Sequence, residues 1–253
     1  MTVNYTEQKV IAIHQWIPGK LFSIRTTRDA DFEFKPGQFA RIGLCSENAT
    51  EPDIWRGFSM VNDSHSDYLE FYVVVVPEGQ FSPKLAQLQV GDSLYINKTV
   101  FGFLTIDQFP QGGTLWLLAT GTGLSAYLSI LKDPQTWQLF DHVILCHGVR
   151  EIAEFTYLDQ IQSTAKQWPE RFVYLPIATR QAHLDYPQAR LTELISNGKL
   201  EQLAGHPLDP EQARVMLCGN PEMLKDARKL LSDKGFAAGR RGNIGTLAAE
   251  KYW

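Results

Sequence analysis

The chain has 253 residues, of which 44% are hydrophobic and 21% charged. These values are close to globular averages and exclude intrinsic disorder and fibrous structure. The net charge of −4 and the lack of a long basic run argue against nucleic acid as a partner. Cys45, Cys146 and Cys218 are widely spaced, which argues against a disulfide framework, a zinc ribbon or an iron–sulfur cluster. Because the cysteines are few, the expected setting is the reducing cytoplasm. No apolar run could span a bilayer and Met1–Val10 lacks a signal-peptide pattern, so we expect no membrane partner.

The first part of the chain predicts a small antiparallel β-barrel. Six apolar or alternating runs lie between turn signals, at Val10–Ile17, Leu21–Thr26, Gln38–Leu44, Gly57–Val61, Leu69–Val76 and Ser93–Asn97. Six strands at this spacing are typical of a small barrel. One helix interrupts them, with Ser82 as its N-cap and Pro83 opening a helical run over Lys84–Leu88.

From about Thr114 the pattern alternates between strands and helices. Apolar strands are predicted at Leu115–Thr120, Val143–Cys146, Phe172–Ala178 and Val215–Cys218. Helices are predicted over Leu124–Leu131, over Glu151–Trp168, and from an Asn220 cap to a stop at Gly235. This alternation predicts a doubly wound parallel sheet. With the joint at Asp107–Gly113, we expect a β-barrel domain of residues 1–106 and an α/β domain of residues 112–253.

A glycine-rich turn follows the first strand of the α/β half. Residues 121–126 (GTGLSA) connect the strand Leu115–Thr120 to a predicted helix, and their spacing fits G-x-G-x-x-G/A. Glycines let the backbone approach a phosphate, and the helix N-terminus supplies free N–H groups. Nucleotide binding is the favoured interpretation, although a glycine turn in an α/β protein can be only a tight connection.

Three arginines stand at corresponding ends of the predicted sheet. Arg150 follows the second strand, where a nucleotide-binding fold often has an acidic residue, whereas Asp141 precedes that strand. Arg180 follows the next strand, and Arg190 precedes a helix. Together they could clamp the 2′-phosphate of NADP(H). Taken singly, a surface arginine at a strand end is common.

Other candidate residues lie in both halves. Residues 56–59 (RGFS) join an arginine, an aromatic ring and a hydroxyl at an apparent strand start, and Gly57 there suggests the close approach of a bulky group. Taken alone, these residues favour an ordinary strand with a core phenylalanine. Cys218 ends a strand where open sheets bind ligands, and the terminal Trp253 needs a groove or a planar cofactor to stack on. His142 and His147 fall on opposite faces of one strand, so we expect no metal site.

Taken together, these motifs resemble the ferredoxin–NADP+ reductase family, in particular its bacterial ferredoxin/flavodoxin reductases, over essentially the whole chain. The resemblance implies that FAD contacts the RGFS motif, the strand segment Tyr72, Val73, Val74 and Val75, and the segment Gln80, Phe81 and Ser82. It implies that NADP(H) contacts Thr122 in the glycine turn and Thr179, Arg150, Arg180 and Arg190 on the 2′-phosphate side.

The resemblance also implies roles at the reaction centre. Ser59, Cys218 and Glu250 would lie beside the reacting rings, and Trp253 would cover the flavin until nicotinamide displaces it. Phe58 stands where the family usually has tyrosine, and Ala126 stands where a proline often closes the nucleotide loop.

The implied protein is a monomeric enzyme with FAD and NADP(H) as cofactors and a separate ferredoxin or flavodoxin as partner. Because this chain is acidic and such carriers are typically acidic too, docking would need a basic patch, with candidates Lys225, Arg228, Lys229, Arg240 and Arg241. Two alternatives stay open. One is an NADH-dependent oxygenase-reductase or flavin-reductase component on the same fold. The other is a fold relative that binds nucleotide and acts as a sensor or scaffold without turnover.

Overall fold

The computed structural model describes residues 4–239 and 244–251. Its first sheet contains six antiparallel strands in the order β4-β3-β6-β1-β2-β5. The strands are β1 (Tyr5–Ile17), β2 (Leu21–Thr27), β3 (Phe39–Leu44), β4 (Ile54–Ser59), β5 (Tyr68–Val74) and β6 (Ser93–Asn97). An isolated antiparallel bridge between Met60 and Phe71 brings the two edge strands together, so the sheet is a nearly closed barrel.

Three predicted elements of the barrel were wrong in detail. β1 begins at Tyr5, five residues before the predicted Val10, because residues 5–9 pair with β6. β4 begins at Ile54, three residues before the prediction, because Ile54 pairs with Leu44. The RGFS motif is therefore at the end of the strand and not at its start. Helix α1 (Ser82–Leu85) is a single turn whose N-cap is Phe81. Ser82 does not cap it, since the Ser82 hydroxyl accepts a hydrogen bond from the Val76 N–H at 2.9 Å.

The second sheet contains five parallel strands in the order β11-β10-β7-β8-β9. They are β7 (Thr114–Thr120), β8 (His142–Val149), β9 (Phe172–Ala178), β10 (Ala213–Gly219) and β11 (Leu247–Lys251). Four of them were predicted, whereas β11 was missed. The barrel followed by a doubly wound parallel sheet is the fold class predicted from the sequence, which is confirmed.

Helices cover both faces of the parallel sheet. Side chains of β7 alternate between two cores, with Leu115 and Leu117 in one and Trp116 and Leu118 in the other. Helices α2 (Leu124–Lys132), α3 (Pro134–Leu139) and α4 (Leu158–Gln167) pack into the first core, and α5 (Leu191–Ser196), α6 (Lys199–Ala204) and α7 (Pro221–Asp233) pack into the second. The predicted cap of α7 is confirmed, because the Asn220 side chain accepts hydrogen bonds from two backbone N–H groups of the first turn.

The predicted helix Glu151–Trp168 is interrupted. A short 3₁₀ helix spans Ile152–Glu154, and α4 begins only at Leu158. Tyr157 between them has φ +56°, a left-handed conformation that no helix continues through. The Tyr157 hydroxyl donates a hydrogen bond to Glu70 Oε1 at 2.9 Å, so a contact with the barrel holds the break in place.

The barrel and the α/β half share one core. Leu21, Val61 and Tyr72 of the barrel pack in the same cluster as side chains of α2 and α4. Polar groups also cross the junction: the Thr156 hydroxyl donates to the Tyr72 hydroxyl at 2.9 Å, and the Lys132 ammonium donates to the Val61 carbonyl at 3.0 Å. Within residues 4–239 and 244–251, no helix has the length and apolar character needed to cross a membrane.

Candidate active site

The end of β4 carries a buried hydroxyl that lacks a partner. Ser59 is 1% exposed, and its Oγ has no hydrogen-bond partner among the described residues. Leaving such a group unpaired costs free energy, so a ligand atom that completes the bond is favoured here. Phe58 is half-buried with its ring centroid 5.7 Å from that of Phe81, while Arg56 is exposed and forms no ion pair in the described part of the chain.

A neighbouring phenyl ring accounts for Gly57. A β-carbon at Gly57 would lie 3.0 Å from the ring of Phe39, which is tighter than ordinary contact. Phe39 begins β3, pairs with Ser59 across the strands, and stacks on Phe101 with ring centroids 5.6 Å apart. A bulky group therefore does approach Gly57, as predicted, but it is the protein's own ring. Sequence reasoning missed Phe39, which no motif marks.

The predicted flavin segment on β5 turns half of its side chains inward. Tyr72 and Val73 are buried, and Val74 and Val75 are half-buried. The Tyr72 hydroxyl accepts the hydrogen bond from Thr156, and burial raises the pKa of Tyr72. A ligand along this segment would therefore meet backbone atoms, Val74 and Val75 more than the Tyr72 ring.

The segment after β5 turns back tightly before α1. The Gly79 N–H donates to the Val76 carbonyl at 2.9 Å, and the Val76 N–H donates to the Ser82 hydroxyl. Gln80 is exposed, whereas Phe81 and Ser82 are buried. The Ser82 hydroxyl still has its own proton to donate, so it can serve a ligand while it holds the turn.

The last strand places a carboxylate beside the barrel. Glu250 on β11 pairs with Cys218 on β10, and a β-carbon at Gly102 would lie 2.8 Å from Glu250 Oε2 and 3.0 Å from the Phe39 ring. The Phe103 N–H donates to this carboxylate, while Oε1 is buried without a partner among the described residues. Burial raises the pKa of Glu250 to about 7. The carboxyl can therefore take up or release a proton near neutral pH.

The glycine turn contacts the end of β10. Gly121–Gly123 forms one turn of 3₁₀ helix between β7 and α2. A β-carbon at Gly123 would lie 2.4 Å from the carbonyl oxygen of Cys218, so no other residue fits this close approach. The Asn220 N–H donates to the Thr120 hydroxyl at 2.8 Å across the same junction. Thr122 in the turn and Cys218 are both buried.

A buried histidine supports the glycine turn. His147 Nε2 lies 3.1 Å from the Gly121 carbonyl oxygen, and burial lowers the pKa of His147 to about 4. The ring is neutral at pH 7, so Nε2 must carry the proton that it donates to the carbonyl. His142 lies apart, with its ring 4.5 Å from that of His206.

The three predicted arginines lie at one edge of the parallel sheet. Arg150 directly follows β8, Arg180 follows β9, and Arg190 immediately precedes α5. The Thr179 N–H donates to the Val149 carbonyl, and the Arg180 N–H donates to the Arg150 carbonyl at 2.8 Å. All three arginines are exposed, and none forms an ion pair with a described residue. The edge therefore offers three unpaired guanidinium groups to an anion.

Some predicted residues cannot be placed. Those outside the described residues are Trp253, Arg240 and Arg241. The remaining residues of the predicted docking patch are exposed on α7: Lys225, Arg228 and Lys229. Lys229 forms an ion pair with Asp233 at 3.0 Å, which exposure and salt make weak.

Comparison with known proteins agrees with this geometry. Models of an oxidoreductase FAD-binding domain and an oxidoreductase NAD-binding domain match residues 19–101 and 117–229. The chain is 37% identical to ferredoxin–NADP reductase A of Sorangium cellulosum, over 99% of this chain and 91% of that protein. This chain belongs to the ferredoxin–NADP reductase family.

Other members of the ferredoxin–NADP reductase family match over similar lengths. The flavodoxin/ferredoxin–NADP reductase of Escherichia coli K12 is 34% identical over 94% of this chain and 99% of that protein. A crystal structure of a ferredoxin NADP+ reductase from Neisseria gonorrhoeae with bound FAD and NADP superposes with a TM-score of 0.93 at 34% identity. The match covers 99% of this chain and 100% of that one.

Proposed function

We infer that this chain is an FAD-dependent reductase that transfers electrons between NADPH and ferredoxin or flavodoxin. Its family and the names of its relatives support this reaction. The structural observation that carries it is the buried Ser59 hydroxyl, which has no partner among the described residues and fits a cofactor with hydrogen-bonding ring atoms at the end of β4.

The barrel residues would hold the flavin. Bound FAD supplies the exchange between a two-electron hydride and single electrons. Ser59 Oγ would bond the ring system, and Phe58 would offer its ring in place of the tyrosine usual in the family. The Ser82 hydroxyl proton and the backbone near Gln80 would serve the pyrophosphate. Arg56, exposed and without an ion pair in the described part, can bind the same phosphates.

The α/β residues would hold NADP(H). The glycine turn at the start of α2 presents backbone N–H groups and the positive end of the helix dipole to a pyrophosphate. Arg150, Arg180 and Arg190 would bind the 2′-phosphate, which NADH lacks. Their exposure and lack of ion pairs among the described residues support this assignment.

Glu250 would act on protons at the junction of the two halves. Its Oε1 is buried and has no partner among the described residues, and its pKa of about 7 lets it hold a proton under working conditions. Cys218, fully buried next to it in the sheet, would act by packing. Trp253 would gate the flavin face, and removing it should tighten nicotinamide binding and raise the use of NADH.

The carrier would dock through local positive charge. We propose the patch Lys225, Arg228, Lys229, Arg240 and Arg241 on a cytoplasmic, monomeric enzyme. Charge steering is screened over about 8–10 Å at physiological salt, so turnover with the carrier should fall as salt rises. Turnover that does not change with salt would contradict electrostatic docking.

An anaerobic absorbance titration tests the proposal. The FAD-reconstituted protein is mixed with NADPH and, separately, with NADH, and loss of flavin absorbance is followed. We expect reduction by NADPH to be at least about tenfold faster, and the Arg150→Ala/Arg180→Ala variant to lose that preference. Lys166→Ala, which removes an exposed cation from α4, is the matched control.

Each other outcome points to a different protein. Equal reduction by NADPH and NADH would favour the NADH-dependent reductase component. A protein that binds no flavin, or flavin that neither nucleotide reduces, would contradict the reductase and favour a nucleotide-binding sensor.

A further inference from the structure

One buried carboxylate, that of Glu154, connects the barrel to the edge of the parallel sheet where Arg150, Arg180 and Arg190 lie. Glu154, in the short 3₁₀ helix after β8, is 8% exposed. Its Oε2 accepts a hydrogen bond from the Arg150 N–H at 2.9 Å, and its Oε1 forms an ion pair with Lys20. Lys20 lies in the turn between β1 and β2, so the two partners of this carboxylate come from different halves of the protein.

The connection continues to the predicted flavin segment on one side. The Val75 N–H donates to the Lys20 carbonyl at 2.8 Å. The backbone of Lys20 is therefore bonded to the segment proposed to contact FAD, while its side chain is bonded to Glu154. The Lys20 side chain is 39% exposed, so it reaches the carboxylate from the surface.

The connection reaches two arginines on the other side. Arg150 has its N–H bonded to Glu154, and its carbonyl accepts the Arg180 N–H at 2.8 Å. The Ile152 N–H also donates to the Gln181 side chain at 3.1 Å, which holds the loops after β8 and β9 together. The contacts that hold the backbone of Arg150 therefore also hold the backbone of Arg180, from which its guanidinium side chain extends.

The charge on Glu154 is stabilised where it lies. Burial acts to raise the pKa of Glu154, but hydrogen bonds from Lys20 and the Arg150 N–H outweigh it and hold the pKa below its usual value. The carboxylate is therefore ionised at neutral pH. A carboxylate next to a phosphate site repels the phosphate and so weakens its binding. Glu154 therefore cannot serve this site by attracting the ligand.

We propose that Glu154 and Lys20 are positioning residues that set the 2′-phosphate arginines relative to the flavin segment and so contribute to the preference for NADPH over NADH. This rests on the proposed function. Neither residue touches the nucleotide in this scheme; each acts through the backbone of Arg150. Positioning matters because a guanidinium clamp misplaced by about 1 Å loses much of its effect on a bound phosphate.

The proposal predicts the opposite sign from simple electrostatics. If Glu154 acted only through its charge, removing it would strengthen binding of an anionic phosphate. If it positions the arginines, removing it weakens that binding. Glu154→Gln keeps an oxygen for the Arg150 N–H but loses the ion pair, whereas Glu154→Ala loses both contacts.

The test measures binding of adenosine 2′,5′-bisphosphate and of adenosine 5′-monophosphate to the flavin-loaded protein by calorimetry. For the bisphosphate we expect affinity to fall about threefold in Glu154→Gln, about tenfold in Glu154→Ala and about threefold in Lys20→Met. Lys20→Arg should restore most of the affinity. The monophosphate should bind every variant within about twofold of the parent. Glu170→Gln, an exposed carboxylate on another loop, is the control.

Steady-state kinetics give a second readout that a merely structural role would not move. The KM for NADPH should rise by the same factors while kcat stays within about twofold, and the KM for NADH should not change. Lys20→Met keeps the test decisive if a Glu154 variant fails to fold, because Lys20 lies in an exposed turn.

Three contrary outcomes can be told apart. If Arg150→Ala and Arg180→Ala weaken bisphosphate binding but Glu154→Gln and Lys20→Met do not, the positioning proposal is overturned and the proposed function stands. If the arginine variants also bind the bisphosphate normally, the arginine site itself is wrong. Stronger bisphosphate binding by Glu154→Gln would assign the residue a purely electrostatic role and overturn the proposal.

Discussion

Replacing Glu250 with glutamine should make the stability of the protein less dependent on pH. The pKa of Glu250 rises from 4.5 to about 7 on folding because the carboxyl is buried. Below pH 4.5 the group is protonated in both states and carries no penalty. Above pH 7 the folded state must hold a buried charge, which at about 1.36 kcal/mol per unit costs about 3 kcal/mol. Glutamine keeps the bond from the Phe103 N–H and carries no charge.

The measurement is the free energy of unfolding from urea titrations at pH 5 and at pH 8. We expect the free energy of unfolding of Glu250→Gln minus that of the parent to increase by about 2.5 kcal/mol from pH 5 to pH 8. The variant should therefore be more stable than the parent at pH 8. Glu170→Gln corrects for the removal of one surface carboxylate. If the difference in free energy of unfolding between the parent and Glu250→Gln were the same at both pH values within about 0.5 kcal/mol, the Glu250 carboxyl would not have the raised pKa that this argument requires.

Three further substitutions test the site and the junction. Ser59→Ala should leave the stability of the flavin-free protein unchanged and weaken FAD binding about tenfold in a fluorescence titration; undiminished FAD affinity would count against the assignment. Tyr157→Phe should lower the free energy of unfolding by about 2 kcal/mol, because Glu70 loses a buried hydrogen bond, whereas Tyr174→Phe, whose hydroxyl has no partner among the described residues, should not. Gly123→Ala places a β-carbon 2.4 Å from a carbonyl of β10, so nucleotide affinity should fall at least about tenfold in calorimetry; normal affinity would refute the tight turn.

The predicted strands were those with strong local patterns. Alternating or apolar runs between turn residues predict most strands of both sheets. A local run of this kind is enough to show which face of a strand is buried. β11 was missed because its sequence, LAAEK, is short and weakly patterned. It is a strand only because it pairs with β10, which no local pattern reveals.

The errors in the helices have a tertiary cause. The residues 151–168 have helical periodicity throughout, yet Tyr157 takes a left-handed conformation because its ring packs 4.6 Å from Trp16 and its hydroxyl reaches Glu70. Ser82 is a good cap by residue type, but its hydroxyl serves the Val76 N–H. Propensity cannot decide between two such uses of one side chain.

The candidate site was predictable where chemistry follows residue type and order along the chain. The glycine turn and the arginines after β8 and β9 were found in this way, since strand ends meet at one edge of a parallel sheet. Phe39 and the ion pair between Lys20 and Glu154 were not found, because their partners lie far away in the sequence.

The core shared between barrel and sheet limits how far the protein can be divided. Leu21, Val61 and Tyr72 would face water if the α/β half were removed, and the hydrogen bonds of Tyr72 and Glu70 to that half would be lost. Two modules that match separate sequence families over residues 19–101 and 117–229 would therefore melt as one cooperative unit. If one module were exchanged for that of a relative, the residues of the other module that contact it across the junction would have to be exchanged as well.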